Sequence, residues 1–352
     1  MASTAVVWLV DRRVASLTAA AAAAEIGGAA AGAAVTAAAV AMEGNGRRCR
    51  PLSAPPSEAE WRLMLTDIGV QPRKMARILI QYHAMPADVA MERIIFLQGL
   101  GIDTGKALSS FPKLLFYPPS TARAMADYLT SVGVKPGLTG KVLSACPQLL
   151  GLSIEDNICP TISHLVEAWG LDQSRDIPVV ISRHPRCLTY SIPENLQPTL
   201  TFWLGSGIAK PAKLIRANPS ILGLSTTKRI LPSIAAFDSY GIPPHLTIDM
   251  VKKFPHLFNY SWNNNLMPKL QYLEEVGRGI DEAVQHPQYF GYSLPRRIQP
   301  RLGGVARAGL HVSLSFVLRL KDEDFERLYG DVCRVEGRGS DRRDEQEHGT
   351  CM

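Results

Sequence analysis

The chain has 352 residues, 46% of them hydrophobic and 20% charged, with a formal net charge of +6 at pH 7. That length and apolar content suffice for a large core, which excludes a wholly disordered chain. The basic balance excludes an acidic scaffold.

Residues 1–50 do not read as part of a core. They begin Met-Ala-Ser-Thr-Ala, carry Arg12 and Arg13, and run through an alanine-rich tract to Arg47, Arg48 and Arg50, with only Asp11, Glu25 and Glu43 as acids. Small residues, hydroxyls, few acids and basic punctuation make an organellar transit peptide, expected to be disordered; a low-complexity arm is the plainer alternative. A membrane span over residues 14–42 is disfavoured, because alanine and glycine supply little lipid-transfer energy and Glu25 interrupts the tract. From Trp61 to Leu100 the chain carries weak echoes of a repeat that becomes clear beyond residue 110: Gly69 and Gly101 read as unit-closing glycines, and Met91 stands where later copies have a proline. These read as one or two degenerate copies at a terminal cap.

Six clear copies of one signature come next, led by Pro112, Pro147, Pro185, Pro219, Pro255 and Pro287 at gaps of 35, 38, 34, 36 and 32 residues. Each lead proline is followed by a mostly apolar pair two and three positions on. A serine follows at the sixth position in five copies: Ser153, Ser191, Ser225, Ser261 and Ser293, against Pro118 in the first. A second proline comes thirteen residues after the lead one: Pro160, Pro198, Pro232, Pro268 and Pro300, with Met125 in the first copy. Gly133, Gly170, Gly207, Gly241, Gly277 and Gly309 close the segment. A period near 35 residues means one supersecondary unit stacked on copies of itself.

The marks predict the local structure. The serine is an N-cap, and Ser191 with Glu194 has capping-box spacing. The glycine is a C-terminal stop. Serine to glycine is a first helix of about fifteen residues, whose internal second proline is expected to kink it. Five residues past that proline, Leu165, Trp203, Phe237, Leu273 and Val305 are expected in the core. A second helix runs from the glycine to the next lead proline, with Leu108, Leu143, Ile181, Ile215, Val251 and Ala283 as core positions. The lead proline ends it, and the short stretch beyond is expected to form a 3₁₀ turn. The fold class is thus all-α: a superhelical solenoid of about seven to eight helical repeats over residues 58–320, each of two helices and a short 3₁₀ turn. Residues 321–352 hold six basic and ten acidic residues with several glycines, and read as a charged disordered tail.

Nothing in the pattern calls for catalysis. His184 and His286 precede lead prolines at a position that other copies fill with Phe111, Cys146, Asn218 and Phe254, so that position is structural. The six cysteines show no Cys-x-x-Cys spacing, and the histidines complete no zinc spacing. No enzyme, no cofactor and no metal site is expected. The cysteines read as buried thiols in a reducing compartment.

The cations are more informative. Residues 51–320 contain 27 lysines and arginines against 19 carboxylates, a net of +8. Around the lead prolines stand Lys113, Arg183, Arg186, Arg216, Lys252 and Lys253. Nine and ten residues after a lead proline stand Lys228 with Arg229 and Arg296 with Arg297, and next to second prolines stand Lys269 and Arg301. Matching repeat positions lie on one edge of a stack, so these twelve are the candidate nucleic-acid-binding residues. Ordinary solvation of helix ends, with favourable charge at helix C-termini, is the competing account.

The unit Pro-x-Leu-Leu…Ser…Leu-x-Pro…Gly resembles the repeat of the mitochondrial transcription termination factor (mTERF) family, most closely at Pro147–Ser153, Pro219–Ser225 and Leu231-Pro232, and over about residues 60–315. The resemblance implies an organellar, non-enzymatic array whose basic groove grips the phosphates of double-stranded DNA or structured RNA. Its work would be transcription termination or regulation, or RNA processing. Organellar transcription or RNA-processing proteins are further expected partners, with no membrane association and a monomeric state. The alanine-rich leader favours a chloroplast over a mitochondrion. The alternative is a protein-binding helical-repeat adaptor in an organelle, its groove receiving a partner helix or peptide without direct nucleic-acid contact.

Overall fold

The computed structural model describes residues 57–307 and 309–335, with side chains up to residue 330. The leader expected over residues 1–50 lies outside them, as do residues 336–352. Two compact units divide the chain: described residues up to Pro160 with Gln173–Thr189, and Thr161–Asp172 with those from Tyr190 onward. Both are built from helices and turns, with no strand among the described residues.

The second helices end where the lead prolines require. Thr104–Ser110, Pro136–Ala145, Asp176–Arg183, Ala212–Ala217, Pro244–Lys253 and Ile280–Gln285 each stop two residues before a lead proline. The expected 3₁₀ turns follow, as at Pro147–Gly151 and Pro219–Gly223. The six residues four positions before the lead prolines are at most 1% exposed, and so are the five expected core residues of the first helices. Full burial of the leucine, isoleucine, valine and phenylalanine side chains among them contributes about 1.5–3 kcal/mol each.

All eight closing glycines, Gly69 and Gly101 included, have φ between 64° and 94°. At Gly133 the left-handed backbone lets the Val134 N–H return to the Leu129 carbonyl at 3.0 Å, closing the helix end. A Cβ on Gly133 would also stand 2.8 Å from Pro178, which packs over it from a later helix of the same unit.

The first helix of a copy differs from the expected kinked helix. In the five copies with a second proline, the capping serine opens a five-residue π turn: Ile154–Ile158, Ile192–Leu196, Thr226–Ile230, Trp262–Leu266 and Leu294–Ile298. Ile158, Leu196, Ile230, Leu266 and Ile298 each donate to the serine carbonyl five residues back, at 3.0–3.2 Å. An α-helix then begins one residue before the proline, as in Cys159–Glu167 and Leu231–Ser239. The physical reason lies in the proline ring. It crowds the carbonyl four residues back and has no N–H to give it. A turn wound one residue wider ahead of the proline removes that demand. The capping box expected at Ser191 forms only by half, Ser191 Oγ accepting from the Glu194 N–H at 3.3 Å. A complete box closes at Ser57 and Glu60.

The tail expected from residue 321 needs correction as well. Asp322–Val335 is helical, with Asp322, Glu323 and Asp324 in its first turn and Phe325 buried. Those acids, read from composition as solvated disorder, sit at the helix end whose partial positive charge favours them.

Candidate nucleic-acid interface

In every copy the end of the second helix, the 3₁₀ turn and the start of the first helix follow one another around the lead proline. The twelve candidate cations all lie in this stretch, but the structure sorts them into three kinds.

Arg183, Arg216, Lys252 and Lys253 lie in the last turns of second helices. Cations there face the partial negative charge of free carbonyls, worth about 0.3–1 kcal/mol without any ligand. Lys252 Nζ also pairs with Asp249 at 2.9 Å, and Lys253 Nζ reaches the Gln285 carbonyl at 3.5 Å. Helix stability alone accounts for these positions.

Arg229, Arg297, Lys269 and Arg301 reach into the next stretch of chain. Arg229 Nε and Nη2 donate to the carbonyls of Phe258 at 2.9 Å and Tyr260 at 2.6 Å. Arg297 does the same to Leu318 at 3.0 Å and Leu320 at 2.6 Å. Lys269, 3% exposed, donates to the Phe290 carbonyl at 2.7 Å and to Asn265 Oδ1 at 2.8 Å. Arg301, 4% exposed, donates to the carbonyls of Val317 and Leu320, both at 2.8 Å, and pairs with Asp322. These four are clamps between stacked segments of one unit. A signal for this was present in the repeats: the position of Lys269 and Arg301 is Thr161, Thr199 and Ser233 in other copies. Every one is a hydrogen-bond donor, and Thr199 Oγ1 donates to the Leu224 carbonyl at 3.2 Å. Burial pulls the Lys269 ammonium down to about 8.

Lys113, Arg186, Lys228 and Arg296 are exposed, with no side-chain hydrogen bond or ion pair among the described residues. Lys113 and Arg186 sit on the 3₁₀ turns beside the lead prolines. Arg186 is close enough to His184 to add to the lowering of its imidazole, which comes chiefly from burial. Lys228 and Arg296 occupy the first turn of a first helix, where their backbone N–H groups are capped by Ser225 Oγ at 3.2 Å and Ser293 Oγ at 3.4 Å. Cations at a helix N-terminus oppose the macrodipole. Asp156 and Glu194 hold the same position in two other copies, the charge sign that the helix favours. Helix stability therefore gives no reason for Lys228 and Arg296.

The fifth and sixth copies also enclose a cleft lined in part by Asn264, Asn265 and Ser293, polar residues that a reading based on charge passes over. Among the described residues no group of three or more His, Cys, Asp or Glu is placed to hold a metal ion, and no helix is long and apolar enough to cross a membrane.

The family model described as mTERF matches residues 63–246 and 173–326. Among curated relatives in Arabidopsis thaliana, "Transcription termination factor MTERF2, chloroplastic" is 34% identical over 140 residues, which is 38% of this chain and 21% of the relative. "Transcription termination factor MTERF8, chloroplastic" is 27% identical over 247 residues, 68% of this chain and 49% of the relative. "Transcription termination factor MTERF15, mitochondrial" is 22% identical over 255 residues, 69% of this chain and 55% of the relative. The matches thus span about half or less of the length of these relatives.

Proposed function

The chain belongs to the mTERF family, and from that premise we propose that it is an organellar nucleic-acid-binding protein that regulates gene expression through transcription termination or RNA processing, without catalysis of its own. The relatives' names, termination factors of chloroplast and mitochondrion, support the process and the compartment. The alanine-rich leader and the mostly chloroplastic names support the chloroplast. The substrate is double-stranded DNA or structured RNA, bound by a monomer, with organellar transcription or RNA-processing proteins as further partners.

One observation carries the reading. Lys228 and Arg296 stand exposed at the end of a helix where a cation is unfavourable, without a partner among the described residues. A polyanion supplies the missing partner. Lys113 and Arg186 extend the set of phosphate contacts, whereas the clamps Arg229, Arg297, Lys269 and Arg301 serve the fold.

The test is filter binding of duplex DNA and structured RNA at two salt concentrations. Neutralising four phosphates, one for each of these exposed cations, gives a slope of log affinity against log salt of about −4. Lys228→Glu with Arg296→Glu should flatten that slope by about 2. Thermal stability should hold or rise, because glutamate suits the first turn. Arg229 is unsuited to this test, since its loss would cut two bonds to backbone carbonyls. A flat salt response of the parent chain, or no binding, would instead favour a protein-binding adaptor.

A further inference from the structure

The helices Glu58–Asp67 and Pro72–Tyr82 belong to one compact unit and leave a groove of about 340 Å³ between them. Trp61 lines one side, and Ala76, Leu79 and Ile80 line the other. The one carboxylate in the lining, Glu58, is held by Arg62, whose Nη2 lies 2.6 Å away. Ile80 is 74% exposed, the highest value of any large apolar side chain among the described residues. The volume sits at the lower end of small-ligand cavities, about 300–1,000 Å³, and suits one or two side chains better than a whole helix.

Three cations border this groove. Arg73, Lys74 and Arg77 stand exposed on the second helix, with no hydrogen bond or ion pair among the described residues. Arg73 and Lys74 fall in its first turn, which holds no acid, and Gln71 at its cap makes no side-chain hydrogen bond. The helices before and after it open with acids, Glu58 and Glu60 in one and Asp88 in the other. Cations in a first turn oppose the macrodipole, and Arg73 and Arg77, one turn apart, repel each other. Helix stability therefore gives no reason for these three. Arg73, Arg77 and Ile80 are spaced by four and three residues, so they share one stripe of the helix, and Ala76 lies one turn before Ile80 on the groove side. Positive charge and exposed apolar surface thus adjoin.

We infer that this face docks a partner protein through a short segment that sets one or two apolar side chains into the groove and carboxylates against Arg73, Lys74 and Arg77. Charge complementarity selects this occupant over the others. The stretch just before Ser57 carries Arg47, Arg48 and Arg50 and no acid after Glu43, so its sign is wrong. The acids of residues 341–347 come with no apolar side chain to fill the groove. A second copy offering the same face would set arginine against arginine. A nucleic-acid backbone would satisfy the cations and leave Ile80 and the groove unfilled. The face belongs to the first compact unit, whereas Lys228 and Arg296 belong to the second, and its use does not depend on nucleic-acid binding.

The test is selection of a phage-displayed library of short random peptides on the 352-residue chain. Enriched peptides should combine a leucine or an aromatic residue with two or more carboxylates. The tightest of them, labelled, is then titrated by fluorescence anisotropy at two salt concentrations. Ile80→Ser should weaken its binding by about 5- to 10-fold at both. Arg73→Glu with Arg77→Glu should weaken it by roughly 10- to 100-fold at low salt and by less at high salt. All three side chains are exposed, so thermal unfolding should show both chains as stable as the parent. Lys228→Glu with Arg296→Glu should leave the peptide affinity unchanged. No enrichment, enrichment of peptides without carboxylates, or a peptide whose binding survives both variants would overturn the inference. So would a duplex-DNA salt slope flattened by about 2 in the double arginine variant while Ile80→Ser binds the peptide as the parent does, since the face would then belong to nucleic acid.

Discussion

The first copy and the five later ones are natural controls for one another. The first has Pro118 and Met125 where the others have the capping serine and the second proline. Its helix, Pro119–Ser131, is continuous α-helix with Pro119 at its first position. The other five all open with a π turn. The capping serine, the second proline and the π turn are present together and absent together in these six copies. The side chains follow the same division. Ten and fourteen residues after its lead proline, the first copy has Ala122 and Ala126. In later copies those positions supply Arg229, Arg297, Thr199, Lys269 and Arg301, whose donors reach carbonyls further along the chain. The first copy lacks these clamps, yet Arg93 in the uninterrupted helix Ala87–Gly99 donates to the Leu115 carbonyl, so a clamp of this kind does not require the π turn.

The comparison breaks most sharply at Met125, which is 1% exposed within Pro119–Ser131. Met125→Pro should destabilise the chain by about 3 kcal/mol or more, the cost of proline in a helix interior, as measured by denaturant unfolding. Met125→Ala serves as the control for the lost side chain, which itself costs about 2–5 kcal/mol. If the first copy adopted a π turn as readily as the others, the proline variant would be no less stable than the alanine one. That result would mean that the five later copies need nothing beyond the proline to form the turn.

A second alternation sharpens the contrast between copies. The residue five positions after the lead proline runs Tyr117, Leu152, Tyr190, Leu224 and Tyr260, and the residue four positions after the next lead proline runs Gly151, Thr189, Gly223, Asn259 and Gly291. Glycine stands wherever the preceding copy has tyrosine. The space is filled accordingly: a Cβ on Gly151 would lie 2.6 Å from Tyr117 Oη, and one on Gly223 would overlap Tyr190 Oη. Gly223→Ala should therefore cost about 1–3 kcal/mol by overpacking. Tyr190→Leu in the same chain should recover most of that loss in a double-mutant cycle of thermal unfolding. Additive losses would show that the two positions do not share the space.

These particulars explain how much was legible in the sequence. The helix ends were, because serine, proline and glycine act on their own backbone. The core positions were too, because six aligned copies expose the period. The π turn was not: proline in a helix predicts trouble at a carbonyl four residues back, and kink and widened turn are both ways out. The helix from Asp322 to Val335 was hidden by charge counting, which takes no account of where along a helix the acids fall. At the candidate interface, repeat position grouped the cations but could not separate Lys228 from Arg229. One residue of difference on a helical turn points a side chain in another direction, enough here to change an exposed cation into a clamp. Asn264 and Asn265 carry no charge, so a search for cations never met them.

The smallest expected effect concerns Lys269, the one clamp whose charge titrates within reach. Its ammonium is held down to about 8 by burial, against an ordinary value of 10.5. Between those values the unfolded chain keeps a proton that the folded chain has lost, so this residue's contribution to stability rises with pH across the interval and is flat below it. Other groups run the opposite way. Burial pushes the Cys187 thiol up to about 12 and raises Cys146 and the hydroxyls of Tyr82 and Tyr289. Each of these makes folding less favourable once its unfolded counterpart ionises, from about pH 9 for thiols and pH 10 for tyrosines. The total pH dependence therefore hides the lysine, and only a difference reveals it. Denaturant unfolding of the parent chain and of Lys269→Met, each at pH 7.5 and 9.5, should show the parent gaining stability relative to the variant at the higher pH. A constant difference would mean that the Phe290 carbonyl and Asn265 hold the ammonium charged throughout, so that the clamp works as a fixed cation and not as a donor able to shed its charge.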